Sequence, residues 1–336
     1  MKLSIEALGA CTPVGLSAEQ TAFGMRAGLF CPRTIGHVDE DDERLGAVLS
    51  RAVPEEVDGW ERFVWIALPA LREAIAVASP MPSCVFLALP TPRPGFEAAD
   101  AKHVVDELAA AALSDAAIVP VFGQNDAFGR ALALAARPLE ERPADRVLVG
   151  GVDTRHAAAT YAALDAEFRI LSQRAENGFI PGEAAAFAVL AGERATPVAP
   201  IATVAFAEAR DEDPQAPADA ALTDLVDAAA SAALARPIPW LLVDQRTERH
   251  RAKSLARVCH RLDSIDPRST SIDALAERLG DAGAASGAVL LVYAALGVAS
   301  GFAPHARGSA RRTAIVALGS DGTGRAAFAV TPHHRG

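Results

Sequence analysis

The apolar positions of this chain form short unbroken runs that alternate with longer amphipathic stretches. Unbroken apolar runs are typical of strands buried between helical layers, whereas apolar residues three and four positions apart predict helices. Strands are predicted at 3–7, 84–89, 117–123, 147–149, 184–191, 201–208, 240–244, 313–318 and 325–330. Helices are predicted at 60–77, 98–113, 218–234 and 248–262, after the N-cap candidate Ser17, and from Gly283.

Glycines and prolines divide this pattern into units. Residues 117–151 are predicted to form a strand, a sharp turn, a helix and a second strand, which is a βαβ unit. The second strand ends at Gly150 and Gly151, and a glycine-flanked turn, GFIPGE at 178–183, precedes the run at 184–191. Pro197 and Pro200 indicate a boundary between two halves, 1–195 and 196–336.

Composition limits the classes of function that need to be considered. The chain has 336 residues, 51% of them hydrophobic, and a net charge of −10. Nucleic-acid binding is not expected, because it needs a positive surface. The acidic run at 39–43 predicts a solvated loop.

The termini, cysteines and longest uncharged run predict a cytoplasmic protein without a membrane span. The first residues lack a secretory signal. Four cysteines without CxxC spacing predict reduced thiols, with neither a zinc site nor a disulfide framework. The uncharged run at 283–302 is long enough to cross a bilayer, but its Gly, Ala and Ser content favours a helix packed inside the protein.

The sequence VGGVD at 149–153, followed by GFIPGEAAA at 178–186, resembles the β-ketoacyl synthases, the condensing enzymes of the thiolase fold. The resemblance extends to LGDAGAASG at 279–287 and to GSDGTGRAAF at 319–328. It implies an α/β, thiolase-like fold. Such a fold has two pseudo-repeated, βαβ-rich halves in layers ordered α-β-α-β-α.

The resemblance also locates the position of the nucleophile. Family members present a cysteine at the turn of the βαβ unit, where the N-terminus of a helix lowers the pKa of a thiol. That position falls on Gln124 or Asn125, and the sequence has no cysteine between Cys84 and Cys259. Gln124 has a second interpretation, as a polar cap of the helix that starts near Asp126.

The two histidines of the family are replaced as well. DQRTERH at 244–250 stands where the family has HGTxT, so the first histidine falls on Gln245, and the second falls on Asp281. His250 is a candidate replacement for the first imidazole. Claisen condensation needs a thiolate and two imidazoles, and Asp281 would place negative charge where an oxyanion develops. Gln124, Asn125, Gln245 and Asp281 are therefore interpreted as non-catalytic, without a metal or cofactor.

Three functions are consistent with a retained fold and altered chemistry. The preferred one is an adaptor, accessory protein or scaffold that binds a protein partner; the resemblance associates such proteins with type VI secretion effectors. The second is a chain-length-factor-like subunit that partners an active ketosynthase, as glutamine in place of cysteine suggests. The third is an acyltransferase with a relocated site, at Cys11 or at Cys259 with His260.

The family resemblance also predicts a pocket and a dimer interface. A candidate pocket is assigned to Gln124, Phe128, Phe179 and Asp321, whereas Gly182 and Glu183 are expected only to form a tight turn. The family dimerises through the strand at 117–123, which predicts a homodimer, or a heterodimer with a ketosynthase. Its interface residues would be Ile118, Val119, Val121 and Phe122.

Overall fold

The computed structural model describes residues 2–38, 42–113, 116–192, 202–211, 218–244, 247–305 and 312–332. The strands are β1 (Lys2–Cys11), β2 (Arg33–Val38), β3 (Arg44–Ala47), β4 (Cys84–Pro90), β5 (Ala117–Gly123), β6 (Val147–Thr154), β7 (Glu183–Gly192), β8 (Ala202–Asp211), β9 (Trp240–Val243), β10 (Ser271–Ala274), β11 (Ala314–Gly319) and β12 (Gly324–Thr331). The helices are α1 (Ala18–Arg26), α2 (Gly59–Ile75), α3 (Ala98–Ala112), α4 (Ala127–Glu141), α5 (Ala158–Ala166), α6 (Ala218–Ala232), α7 (Arg249–Arg261), α8 (Ala276–Leu279) and α9 (Ser286–Ala299).

The strand order repeats between the two halves of the chain. The main sheet runs β10-β9-β11-β12-β8-β1-β7-β6-β4-β5. Counted within each half, both sets follow the order third, second, fourth, fifth, first, and the fifth strand is antiparallel to both neighbours. The halves meet where β1 and β8 pair antiparallel. The predicted boundary, at 195/196, lies outside the described residues.

The layers follow from which faces of the helices are buried. Helices α4 and α9 contact strands of both halves, so they form a central layer between them. Helices α2 and α3 cover the outer face of the N-terminal strands, and α6 and α7 cover the outer face of the C-terminal ones. The resulting α-β-α-β-α arrangement is the predicted thiolase-like fold.

Helix α9 owes its position to its composition. Twelve of its fourteen residues are buried, and its small side chains allow strands of both halves to pack closely against it. Across the described ranges, none of the helices combines the length and the apolar character that crossing a bilayer would need.

Several local features differ from the sequence prediction. Residues 39–41 of the predicted solvated loop lie outside the described residues, and Asp42 and Glu43 connect β2 to β3, two strands that were not predicted. Strand β10 and helix α8 were not predicted. Helix α2 continues through Pro69, which lies on the exposed side of the helix, where water can bind the carbonyl group that loses its partner. Ser17 caps α1 as predicted, accepting a hydrogen bond from the Gln20 N–H at 3.2 Å.

Candidate functional site

The turn between β5 and α4 places Gln124 beside the loop that joins β11 to β12. The Gln124 Oε1 atom accepts a hydrogen bond from the Asp321 backbone N–H at 2.8 Å. The side chain therefore ties the two halves together instead of capping α4, whose cap position is occupied by Asp126. A carboxamide used in this way is a structural connection between two loops.

Asn125, the other candidate for the nucleophile position, points into the interior. It is 1% exposed. Its Nδ2 atom lies 3.4 Å from Asp281 Oδ1 and 3.2 Å from Ser286 Oγ. The structure thus brings together two of the positions singled out in the sequence, which are 156 residues apart.

Asp281 forms a buried ion pair with Arg155. The Arg155 Nε atom donates to Asp281 Oδ2 at 2.7 Å, and the Gly283 N–H donates to Oδ1 at 3.1 Å. The Asp281 side chain is fully buried. An aspartate held by a guanidinium stays ionised and acts only as an acceptor, so it cannot donate a hydrogen bond to a developing oxyanion.

A second ion pair lies next to the first. Arg93 contacts Asp153 with 2.5 Å between Nη2 and Oδ1, and the Ala284 N–H donates to Asp153 Oδ2 at 2.9 Å. Gly283 has φ +48°, and a Cβ atom there would lie 1.9 Å from Asp153 Oδ2. Glycine is required at this position because both the backbone conformation and the carboxylate exclude a side chain.

Glu183, at the end of the GFIPGE turn, forms a third ion pair beneath the site. Arg62 donates to both of its carboxylate oxygens, at 2.6 and 2.9 Å, and both side chains are fully buried. The Thr154 hydroxyl and the Ser50 N–H donate to the same carboxylate, each at 2.7 Å. Glu183 therefore does more than form a turn: it anchors β7 to helix α2.

An open cavity of about 270 Å³ lies above these pairs. Its lining includes two of the predicted pocket residues, Gln124 and Asp321. The charged side chains in the lining are Arg93, Asp153, Arg155, Glu167, Arg169 and Asp321. A site for an acyl chain needs a mostly apolar lining. This cavity, with its charged lining, is better suited to a polar ligand than to an acyl chain.

The other two predicted pocket residues are buried elsewhere. Phe128 is fully buried in the central layer, with its ring centroid 6.0 Å from that of Phe328. Phe179 is 1% exposed and lies beneath two guanidinium groups, with Arg155 and Arg169 at 5.4 and 5.3 Å from its ring centroid. Neither ring is part of the cavity lining.

The first histidine position, Gln245, lies outside the described residues. His250 is exposed on α7, with Nε2 4.0 Å from Asp321 Oδ1. Glu248, His250 and Asp321 have ligand atoms close enough together to hold a metal ion. However, Arg169 donates to both carboxylates, at 3.0 Å to Glu248 and 2.9 Å to Asp321, and thus already places one positive charge between them.

The cysteines proposed for a relocated site are not activated. Burial raises the pKa of Cys11 to about 11, and burial also raises the pKa of Cys259. Cys259 and His260 both line a shallow groove at the end of α7. A thiol with a raised pKa is protonated at neutral pH and is a weak nucleophile.

The arginines of this site were not identified from the sequence. A signal was available for Arg155, because Asp153, Thr154 and Arg155 directly follow the apolar part of β6, where polar residues gather at the end of a buried strand. Arg62 lies on the apolar face of α2, close to Phe63 and Ile66 along the chain. A charged residue on such a face predicts a buried partner.

Comparisons with known proteins establish the fold. No protein-family model and no curated protein sequence matches the chain. A ketosynthase from module 6 of the bacillaene synthase of Bacillus subtilis 168 superposes with a TM-score of 0.76 and 15% identity, over 99% of this chain and 72% of that one. The chain has a ketosynthase-like, thiolase-type fold.

Two further structures match this chain over nearly the whole length of both proteins. A type II PKS acyl-carrier protein in complex with its ketosynthase bound to the hexaketide (AntDE:AntF) matches with a TM-score of 0.77 and 13% identity, over 98% of this chain and 99% of that one. The ishigamide ketosynthase/chain length factor matches with a TM-score of 0.71 and 18% identity, over 98% and 99%. Identities of 13–18% show a shared fold and leave the function to the residues of the site.

Proposed function

We propose that this protein is a non-catalytic ketosynthase-like adaptor or scaffold. The observation that carries the proposal is the Asn125–Asp281–Arg155 network, which occupies the place where the family resemblance puts a thiol and an imidazole. A buried carboxylate paired with a guanidinium supplies neither the nucleophile nor the oxyanion stabilisation that condensation needs.

The surface also supports a binding role. Leu16, Phe23, Leu29 and Phe30 are large apolar residues in or next to α1, and they are between 39% and 52% exposed. Large apolar residues close together on a surface often mark sites of protein interaction. The polar cavity beside Gln124, in contrast, is a poor fit for an acyl chain. The association with type VI secretion effectors remains a prediction from the resemblance.

A chain-length-factor-like subunit is the second candidate. Gln124 at the nucleophile turn and the structural similarity to a ketosynthase/chain length factor favour it. This candidate predicts a stable heterodimer with an active ketosynthase. Co-purification of a ketosynthase with the tagged chain from its native host would favour it over the adaptor, whereas an unrelated partner would favour the adaptor.

The proposal is tested by intact-mass spectrometry after incubation with malonyl- and acyl-loaded carrier protein, with thioester consumption followed in parallel. An active ketosynthase serves as the positive control. We expect no covalent adduct and no turnover. An acyl adduct lost in Cys11→Ser or Cys259→Ser, or malonyl decarboxylation lost in Gln124→Ala, would make the protein an enzyme and overturn the proposal.

A further inference from the structure

Helix α7 carries a row of four cations along one exposed face. Arg249, Lys253, Arg257 and Arg261 follow one another at intervals of four residues, so each side chain lies beside the next along the helix, and all four are exposed. Residues 249–261 include no Asp or Glu, although the whole chain has a net charge of −10. These four residues form the α7 cation row.

Most of this charge has no ion-pair partner among the residues that the structure describes. In the ranges that the structure describes, Arg257 pairs with Asp219, with 3.0 Å between Nη1 and Oδ2, and its side chain is still 60% exposed. Arg249, Lys253 and Arg261 have no ion-pair partner within those ranges. Within the described part of the chain, the α7 cation row therefore presents three exposed positive charges that form no ion pair.

The row is unfavourable for the helix that carries it. Like charges four residues apart repel one another, and a cation in the first turn, such as Arg249, opposes the helix dipole. Packing does not explain the row, because α7 is attached through other residues, including the buried Arg251 and Val258. A local conflict without internal compensation is expected where a surface serves binding.

Other outward helices do not share this pattern. Lys102 on α3 pairs with Asp106 four residues later, at 2.5 Å. Helix α6, which packs beside α7, carries Asp219, Asp224 and Asp227 and no Lys or Arg. On this pair of helices, four exposed cations follow one row of α7, and the neighbouring α6 carries only acidic charges.

We propose that the α7 cation row binds an acidic helical segment of a protein partner. Four residues of helix rise by about 6 Å, so the row is about 18 Å long and has the spacing of acidic residues at every fourth position of a second helix. The proposal concerns the outer face of the C-terminal half. It does not depend on whether the turn at Gln124 is catalytic.

The charge distribution favours a protein segment over a nucleic acid. A nucleic acid needs a broad positive surface, because its phosphates extend over a wide area. Here the positive area is one row wide, and α6 beside it carries no Lys or Arg that could contact a second line of phosphates. A single acidic row on a partner helix matches both features.

The groove at the C-terminal end of α7 offers a place for an apolar side chain of the partner segment. It is open, about 640 Å³ in volume, and lined in part by Leu262, Ile265 and Ile272. Ile272, on the edge strand β10, is 43% exposed. An amphipathic segment could place an apolar side chain there while its acidic residues contact the row.

Fluorescence anisotropy with a designed, labelled 16-residue peptide tests the proposal. The peptide has Glu at every fourth position and Leu on the adjacent face, and a peptide of the same composition with shuffled Glu positions is the matched probe. We expect the first peptide to bind more tightly than the shuffled one, and more weakly as salt rises from about 50 to about 300 mM. Equal binding of the two peptides would overturn the proposal.

Variants of the full chain assign the binding to the row. Arg249→Glu/Lys253→Glu/Arg261→Glu is expected to weaken binding by about tenfold or more, and the corresponding Gln variant by less. Arg51→Glu/Arg72→Glu/Arg137→Glu makes the same change of charge at exposed positions elsewhere and is expected to bind like the unmodified protein. Equal losses in both Glu variants, or tighter binding of a 16-base single-stranded DNA than of the peptide, would overturn the proposal. Circular dichroism verifies that each variant is folded.

Discussion

Asn125 and Asp281 are in contact through Nδ2 and Oδ1, 3.4 Å apart, at the junction of the two halves of the fold. The contact closes the place where the family resemblance puts the nucleophile and the second imidazole. Because Arg155 pairs with the same carboxylate, the three residues form one connected network. We expect this network to stabilise the junction, in keeping with the non-catalytic role proposed above.

The Arg155–Asp281 pair is expected to behave as a buried ion pair. Asp281→Asn should lower the free energy of unfolding by about 3 kcal/mol, because it leaves the Arg155 guanidinium, whose side chain is 10% exposed, without its counter-charge. Urea unfolding measures the loss. Arg155→Gln/Asp281→Asn should lose less than the sum of the two single variants.

A surface pair provides the matched control for this experiment. Arg142 and Asp145 lie 3.3 Å apart, with side chains 67% and 34% exposed. Asp145→Asn should change the free energy of unfolding by about 1 kcal/mol or less. Equal losses for Asp281→Asn and Asp145→Asn would contradict the structural role given to Asp281.

The fold could be predicted where burial dominates the local sequence. Strands β6 and β7 are buried throughout and contain almost unbroken apolar runs, so their location could be recognised without tertiary information. Strand β10 has the sequence SIDA and pairs only with β9 in the main sheet. Its apolar signal is too short, and its strand state comes from pairing with β9.

The candidate site could be predicted only in part, because its chemistry depends on contacts between distant segments. Motif positions identified Asn125 and Asp281 but not their contact. The pairing of Arg62 with Glu183 joins residues 121 positions apart. Phe179 is one of the predicted pocket residues, but it lies beneath two guanidinium groups and does not line the cavity.

Acidification should destabilise the protein through His156. Its Nε2–H donates to the Glu55 carbonyl at 2.8 Å, and its Nδ1 accepts from the Tyr161 hydroxyl at 3.0 Å, which fixes the neutral ring. Burial lowers the pKa of His156 below its ordinary value of 6.5. The unfolded chain therefore binds the proton more tightly, so this contribution to stability is complete above about pH 6.5 and is lost as the pH falls from there towards the lower pKa of the folded state.

Urea unfolding at pH 7.5 and pH 5.5 measures this effect. The unmodified protein should lose stability between the two values, and His156→Gln should lose less, because the group that titrates has been removed. His250→Gln removes an exposed histidine and serves as the control, with the loss of the unmodified protein. The same loss in all three proteins would exclude His156 as the source.

The α7 cation row makes a prediction about stability that is separate from binding. Lys253→Glu places an acid between Arg249 and Arg257, turning two repulsive pairs into attractive ones, and should raise the free energy of unfolding by about 0.5–1 kcal/mol. Lys102→Glu makes the same substitution beside Asp106, where it replaces an attractive pair by a repulsive one, and should lower stability slightly. Thermal unfolding of both variants decides the sign; destabilisation by Lys253→Glu would contradict the repulsion within the row.

Strand β5 should mediate homodimerisation. It forms one edge of the main sheet and pairs with β4 alone, and Val119 and Phe122 on it are each 38% exposed. Pro120 supplies no N–H donor, so pairing with a second copy would lack one ladder hydrogen bond. Light scattering after size-exclusion chromatography should give a dimer, and Val119→Lys/Phe122→Lys should give a monomer, because two added charges per chain would be buried at the interface. Val77→Lys, at a position 71% exposed elsewhere, should remain dimeric. A monomer for the unmodified protein at micromolar concentration would leave β5 as an ordinary edge, blunted by its proline, and would restrict assembly to the surfaces of α1 and α7.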